Sequence, residues 1–309
     1  CECYRMLNKQ AMKRWTFEGA DARISAQVFN DAAEHTLIVL HGMRDHGSSL
    51  HCLAATLPHF KIVFADLRGH GQSDHSGAYS MSHFVADLLA LYDFFDLTSA
   101  HVLGHSLGGH IATRFAALFP ERVTNLVIVD GFGPPNTQTG LGIHTWIAAQ
   151  RAQIEQLGAA PRRSGRLQDK AAATERYLRN QPRLSEEAAR YLSEMGVQAA
   201  PEGGLTWRWD PRVQMVWSTF SKAESEAMLE CIVCDVLIIT GSEGLAYWLT
   251  MHPELEGQDD WYQSELQRRI NLLPRAKSLV IENAGHMVHF DQPVALSTAV
   301  ANFLSPLLD

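Results

Sequence analysis

Short runs of apolar, mostly β-branched residues recur along the chain and alternate with longer segments of helical period. Residues 37–40 (LIVL) and 126–129 (LVIV) are the clearest of these runs, and each has the length of a buried strand. A continuous apolar strand is buried on both faces, which is typical of a parallel sheet covered by helices. The pattern therefore predicts an α/β fold with a mainly parallel sheet.

The chain opens with a different pattern, in which apolar and polar residues alternate. Residues 15–18 and 24–29 follow it and are separated by Gly19-Ala20-Asp21, which predicts an antiparallel hairpin that leads into the sheet. The further predicted strands are residues 36–40, 61–65, 100–103, 123–129, 236–240 and 278–281. The predicted helices are residues 48–57, 82–95, 107–119, 262–272 and 293–304.

The alternation of strands and helices stops between residues 136 and 222. This segment has no convincing strand and predicts several helices that are broken by prolines and by Pro-Glu-Gly-Gly at 201–204. We interpret residues 136–222 as a helical cap domain inserted into a core domain of residues 1–135 and 223–309. The cap contains four of the seven tryptophans, which either pack it internally or cover a ligand pocket. The predicted substrate-binding residues are Phe132, Trp146, Trp207, Trp209 and Trp217.

Composition and charge exclude several classes of protein. The chain is 46% hydrophobic and 19% charged, unlike a disordered or collagen-like protein. A net charge of −8 argues against nucleic acid or an anionic membrane as the main partner. No apolar run approaches the roughly 18 residues of a membrane-spanning helix. The first residues lack the apolar segment of a signal peptide, and the five cysteines are a sparse, odd set, so we predict a cytoplasmic protein.

The residues around Ser106 form the motif G-x-S-x-G between a predicted strand and a predicted helix. Such a sharp turn forces the central residue into a strained backbone conformation, and Gly104 and Gly108 leave room for the chain to close. The serine oxygen then projects above the sheet, next to a helix N-terminus that favours negative charge. We therefore predict that Ser106 is a catalytic nucleophile that forms an acyl-enzyme, rather than part of an ordinary tight turn.

A serine nucleophile needs a base and an acid, and the sequence offers candidates for both. His286 follows the last predicted strand and lies after Ser106 in the chain, so we predict it as the base, with His289 as its nearest competitor. The acid is open between two residues. Asp130 ends the predicted strand before the cap and is the preferred candidate, and Glu243 in the loop after strand 236–240 is the alternative.

The negative charge that develops on a substrate carbonyl requires two pre-aimed N–H donors. The residue after the nucleophile supplies one donor, and an early glycine-containing loop supplies the other. His41-Gly42 ends a predicted strand and opens such a loop. We predict that the backbone amides of Leu107 and Met43 form this oxyanion hole.

These motifs together resemble the α/β-hydrolase fold superfamily, specifically serine hydrolases that carry a lid. The resemblance includes the HG pair at 41–42, the block DLRGHGQS at 66–73, the turn around Ser106, the run FPERV at 119–123, and Gly285-His286. The run DGFGPP at 130–135 looks like that of serine-hydrolase-like proteins, and an acid before the lid is similar to the arrangement in some haloalkane dehalogenases. The resemblance implies an eight-stranded, mostly parallel sheet flanked by helices, with an inserted helical cap.

The resemblance also implies the chemistry, which is hydrolysis of a carboxylic ester or related acyl bond without a cofactor or metal. The partner it implies is a small-molecule ester with an apolar acyl or alcohol part. Other activities of the fold stay open, namely acyl transfer, C–C bond hydrolysis and perhydrolysis. A ligand-binding, receptor-like protein with little turnover is the alternative from a different class.

Overall fold

The computed structural model describes residues 12–133, 147–148, 151, 154–155, 165–250 and 252–305. Their main feature is an eight-stranded sheet with the order β1-β2-β4-β3-β5-β6-β9-β10. Its strands are β1 Lys13–Glu18, β2 Arg23–Phe29, β3 His35–Leu40, β4 Phe60–Asp66, β5 Ala100–His105, β6 Val123–Val129, β9 Asp235–Gly241 and β10 Ala276–Ile281. In this sheet β4, β3, β5, β6, β9 and β10 pair in parallel, and the pairs β1–β2 and β2–β4 are antiparallel. The predicted fold class and the opening hairpin are confirmed.

Helices flank the sheet and connect its strands. Within the described ranges the α-helices are α1 Met81–Phe94, α2 Leu107–Leu118, α3 Lys170–Asn180, α4 Glu186–Gly196, α5 Lys222–Glu230, α6 Leu245–Leu249, α7 Asp259–Ile270, α8 Val288–Asp291 and α9 Pro293–Leu304. The predicted helix at residues 48–57 is instead a 3₁₀ helix over Gly47–Ala55, whose residues 47–54 are buried. Where the structure describes the chain, none of its helices is long and apolar enough to cross a membrane.

The apolar runs that predict strands divide between two hydrophobic cores, one on each face of the sheet. In β3, Ile38 and Leu40 belong to the core that packs under α2, and Leu37 and Val39 belong to the core that packs under α9. Successive side chains of a strand point to opposite faces, so a run that is apolar throughout fills both cores. This packing fixes the carboxyl ends of β3, β5 and β6, where the candidate site residues lie.

The segment predicted to contain no strand has a short antiparallel hairpin. Strands β7 Val197–Ala199 and β8 Leu205–Trp207 pair with each other, so the expectation of helices alone is wrong here. Gly203 and Gly204 both adopt positive φ (85° and 75°), which glycine reaches without steric cost, and they close a turn rather than break a helix. The predicted cap boundaries, residues 136 and 222, stay a prediction.

A fully buried arginine ties the loop after β4 to helix α1. Arg68 donates two hydrogen bonds of 2.7 Å to Asp87, which is also buried. Removal of one partner from a buried ion pair leaves an uncompensated charge. We expect Arg68→Met to lower the free energy of unfolding, measured with urea, by about 3–5 kcal/mol.

The matched control for this change is Arg23→Met. Arg23 also pairs with an aspartate, Asp74, but both side chains are exposed, at 63% and 42%. Water screens such a pair, so its loss should change the urea midpoint little. Equal destabilisation by the two variants would contradict the role given to burial.

Candidate active site

Ser106 lies in a sharp turn between β5 and α2. Its backbone has φ 51° and ψ −116°, a strained conformation for a residue with a side chain. The glycines around it are required by close packing. A Cβ atom on Gly104 would lie 2.2 Å from the carbonyl oxygen of Gly108, and one on Gly108 would lie 2.2 Å from that of Leu40. The sequence motif therefore forms the turn that it predicts.

Three of the predicted residues come together at the carboxyl ends of the strands. His286 Nε2 lies 3.0 Å from Ser106 Oγ, and His286 Nδ1 lies 3.0 Å from Asp130 Oδ2. A carboxylate can only accept hydrogen bonds, so Nδ1 of the neutral imidazole donates to Asp130 and Nε2 is left to accept from the serine hydroxyl. His286 and Asp130 are buried and Ser106 is partly exposed. The arrangement can therefore move a proton from the serine to the imidazole.

The alternative acid, Glu243, is directed elsewhere. Its two carboxylate oxygens accept hydrogen bonds of 2.8 and 2.7 Å from the guanidinium of Arg183. Arg183 also approaches Asp291 at 3.4 Å, and Asp291 accepts a hydrogen bond from the backbone amide of Gly285, next to His286. Glu243 thus contributes to an exposed charge network at the edge of the site, and Asp130 is the carboxylate in contact with the imidazole.

His289, the other candidate base, lies inside the core. Its side chain is fully buried, and its Nε2 is 3.4 Å from Asp45 Oδ2. The imidazole that contacts the Ser106 hydroxyl is that of His286.

The predicted oxyanion residues flank Ser106. Leu107 is the first residue of α2, where amide groups have no partner within the helix. Met43 follows Gly42, and a Cβ atom on Gly42 would lie 3.2 Å from Cβ of Ser106, so the loop after β3 runs directly beside the nucleophile. The amide of Gly108 donates to the carbonyl of His41 at 3.1 Å and fastens this loop to the start of α2.

The predicted substrate-binding residues have different surroundings. Trp209 lies under the guanidinium of Arg44, 5.1 Å from its carbon, beside the loop that carries Met43. Phe132 lines a cavity together with His110, Gly131 and Phe220. The other two predicted tryptophans that the structure describes pack against rings, Trp207 edge-on to Tyr177 and Trp217 edge-on to His110. Trp146 lies outside the described residues.

Sequence reasoning missed an aromatic residue that covers the candidate base. The ring of Tyr247 in α6 stacks on the imidazole of His286, with centroids 3.9 Å apart and an interplanar angle of 16°. Trp248 approaches the same imidazole edge-on at 6.0 Å. In the sequence, the Tyr247-Trp248 pair lies a few residues after Glu243, the alternative acid. Burial raises the pKa of the Tyr247 hydroxyl.

The residue before the nucleophile supports the same histidine. His105 Nε2 lies 2.9 Å from the backbone carbonyl oxygen of His286 and donates to it. Burial, reinforced by the nearby imidazoles of His289 and His286, lowers the pKa of His105 far below its ordinary value. His105 is therefore neutral, and it holds the backbone of the loop that carries the candidate base.

A mostly parallel eight-stranded sheet with a serine turn after β5 and a histidine after the last strand defines the α/β-hydrolase fold. A family model described as the alpha/beta hydrolase fold matches residues 35–293. The chain belongs to this family, and the resemblance inferred from the motifs is confirmed.

Individual relatives agree with this membership. A serine hydrolase-like protein of Danio rerio is 25% identical over 92% of this chain and 85% of its own length. Esterase YbfF of Escherichia coli is 27% identical over 71% of this chain and 72% of its own length. Among solved structures, the thioesterase domain from the curacin biosynthetic pathway has a TM-score of 0.78 at 22% identity and covers 94% of this chain and 99% of that domain. This last likeness concerns the fold.

Proposed function

We propose that the protein is a serine hydrolase that cleaves a carboxylic ester, or a related acyl bond, through an acyl-enzyme on Ser106. His286 is the general base and Asp130 is the acid of the triad. The proposal rests on one observation, which is the pair of 3.0 Å contacts that link Ser106 Oγ to His286 and His286 to Asp130. The names of the relatives, which include esterases, support the same reaction class.

The first half of the reaction transfers the acyl group to the enzyme. His286 Nε2 takes the hydroxyl proton of Ser106 as Oγ attacks the substrate carbonyl carbon. Asp130 holds the imidazole in the correct tautomer and stabilises the imidazolium that forms. The carbonyl oxygen becomes negatively charged and accepts hydrogen bonds from the amides of Met43 and Leu107, each contributing on the order of 3 kcal/mol in the transition state. The imidazolium then returns its proton to the leaving alcohol.

The second half releases the acid. Water donates a proton to His286 Nε2 and attacks the acyl-enzyme, and the imidazolium then reprotonates Ser106 Oγ as it leaves. Every proton in the cycle passes through His286, and this chain's own side chains and amides carry out each step. The stacked ring of Tyr247 fixes the plane of the imidazole, so that both its nitrogens stay aligned with their partners.

We infer that residues 136–222 form the cap over this site. In the described part of this segment, Arg183 pairs with Glu243 and Asp291 on the core domain. The amide of Gly71 donates to the carbonyl of Arg208 at 2.7 Å, and Tyr79 donates to Asp210 at 2.7 Å. These contacts hold the segment against the loops at the carboxyl ends of the strands. A small ester with an apolar part, enclosed between cap and core in a cytoplasmic protein, is the substrate class that we propose.

A fluorophosphonate probe should label Ser106 covalently, because the activated oxygen attacks phosphorus and displaces fluoride while the oxyanion hole holds the P=O oxygen. We expect one label per chain by intact-mass spectrometry and the modified residue on the peptide that contains Ser106. His286→Ala should slow the labelling strongly, since the base that activates the hydroxyl is gone. A folded wild-type protein that stays unlabelled would contradict the proposal.

Two further measurements on the wild-type protein identify the preferred acyl length of the substrate and the acceptor that takes the acyl group. A series of p-nitrophenyl esters of increasing acyl length should give turnover with a preference set by the cap. Added alcohols, amines or peroxide should compete poorly with water as acceptors. Efficient transfer to one of them would assign acyl transfer or perhydrolysis instead, and ligand-induced thermal stabilisation without any product would indicate a binding protein.

A further inference from the structure

Three buried side chains behind the triad take no part in the reaction derived above. Asp45 follows β3, His105 ends β5, and His289 lies in α8, so three separate parts of the chain bring them together. One nitrogen or oxygen atom from each residue lies within 4.8 Å of those of the other two. We name these three residues the Asp45 cluster.

The imidazoles of the Asp45 cluster have nitrogens that nothing in the described part of the chain satisfies. His105 Nε2 donates to the carbonyl of His286, so its Nδ1 carries a free lone pair. This Nδ1 is buried without a hydrogen-bond partner, and so is Nδ1 of His289. Each buried polar atom without a partner costs about 1–3 kcal/mol. Other buried histidines also have a nitrogen without a partner, so the convergence of two such imidazoles on one carboxylate is what points to a missing ligand that accepts lone pairs.

The carboxylate of the cluster is held in place by a neighbouring hydroxyl. Asp45 Oδ2 accepts a hydrogen bond of 2.6 Å from the hydroxyl of Ser49 and lies 3.4 Å from His289 Nε2. Two ligands of a tetrahedral zinc ion with bonds of 2.0–2.2 Å are separated by about the same distance, 3.4 Å.

We propose that the Asp45 cluster binds one divalent transition-metal ion of the zinc type, with His105 Nδ1, one nitrogen of His289 and the Asp45 carboxylate as its ligands. Zinc is bound in proteins by both imidazole nitrogen and carboxylate oxygen. The outer contacts match those of known metal sites, in which the second nitrogen of a ligating histidine donates to a carbonyl and the carboxylate is itself hydrogen-bonded. His105 makes the first of these contacts with the carbonyl of His286, and Asp45 makes the second with the hydroxyl of Ser49.

The bound ion inhibits turnover. His105 donates to the backbone carbonyl of His286, so a ligand that fixes His105 acts on the loop that carries the base. A displacement of the imidazole by about 1 Å is enough to lower turnover by about 100-fold. Only this effect on turnover rests on the proposed function. Binding of the ion itself requires neither Ser106 nor Asp130.

The test is a Co²⁺ titration of the full chain after removal of metals with a chelator. We expect one Co²⁺ per chain, the intense visible absorption of a tetrahedral cobalt site, and its loss when Zn²⁺ is added. Ser106→Ala should bind equally well, which separates the metal site from the hydrolase proposal. His289→Gln and Asp45→Asn should each weaken binding by more than about 100-fold, and Ser49→Ala, which changes an outer contact, by about 10–100-fold.

The matched control is His101→Gln. His101 is another buried histidine of β5 with an Nδ1 that lacks a partner, but it does not belong to the Asp45 cluster. The control should bind Co²⁺ like the wild type. Crystals soaked in Co²⁺ give a second test that needs no variant, because an anomalous peak should lie within about 2.2 Å of the three ligand atoms. No binding by the folded wild type, or unchanged binding by His289→Gln and Asp45→Asn, would overturn the proposal.

Discussion

Replacement of Ser106 by alanine should lower kcat for a p-nitrophenyl ester by about 10⁵- to 10⁶-fold. The variant removes the only oxygen that His286 Nε2 contacts within the triad, at 3.0 Å, and with it the acyl-enzyme route. A residual acceleration of about 10³–10⁴ over water should remain, because the oxyanion hole and the substrate pocket are intact. Steady-state turnover and a pre-steady-state burst of p-nitrophenol measure these two effects. The burst should be absent in the variant.

Ser242→Ala is the matched control for this change. Ser242 lies in the loop after β9, and its hydroxyl accepts a hydrogen bond of 3.1 Å from the amide of Asn283, three residues before His286. Loss of this bond should cost about 1 kcal/mol of stability and less than about tenfold in turnover. Circular dichroism should show both variants folded. If Ser106→Ala retains turnover within tenfold of the wild type, Ser106 is not the nucleophile.

The sheet could be predicted because its signal is local. A run such as LIVL at 37–40 fills two cores by simple alternation, and a β-branched run of this length is typical of a strand buried on both faces. The turn at Ser106 was also predictable, since close packing of backbone against Gly104 and Gly108 leaves no other residue at those positions. In both cases the residues that determine the structure are neighbours in the chain.

The hairpin β7–β8 and the Asp45 cluster were not predictable, because each depends on a pairing of residues that the local sequence pattern does not determine. The glycines at 203 and 204 are compatible with a helix break or with a hairpin turn, and pairing of Val197 with Trp207 decides between the two. The side chains of Asp45, His105 and His289 come from a loop, a strand end and a helix and share no sequence motif. Stacking of Tyr247 on His286 depends in the same way on the path of the loop after β9.

The choice between the two candidate acids also depended on a distant residue. The loop after β9 is where the fold often has its acid, and Glu243 is the carboxylate available in that loop. Arg183, 60 residues away in sequence, engages both oxygens of Glu243 and directs them away from the imidazole. Asp130, at the end of β6, is left as the carboxylate in contact with His286.

Asp130→Asn should therefore lower kcat by about 10⁴-fold. The amide of the variant can donate an N–H to His286 Nδ1, so Nδ1 then has to accept. The proton of the neutral imidazole is then on Nε2. This nitrogen can no longer take the proton of the serine hydroxyl. The imidazolium formed in the transition state also loses its counter-charge. The side chain keeps its size, and Asp130 has a strained backbone with φ 44°, a conformation that asparagine tolerates, so the fold should be retained.

Glu243→Gln is the matched change at the competing carboxylate, and we expect it to keep turnover within about threefold of the wild type. It weakens an exposed ion pair with Arg183 at the rim of the site, where water screens the charges. The double variant Ser106→Ala with Asp130→Asn adds a further check, because residues that act as one unit are strongly non-additive and it should be hardly slower than Ser106→Ala alone. Turnover that survives Asp130→Asn and disappears in Glu243→Gln would transfer the acid role to Glu243, and it would require the Arg183 pair to open during catalysis.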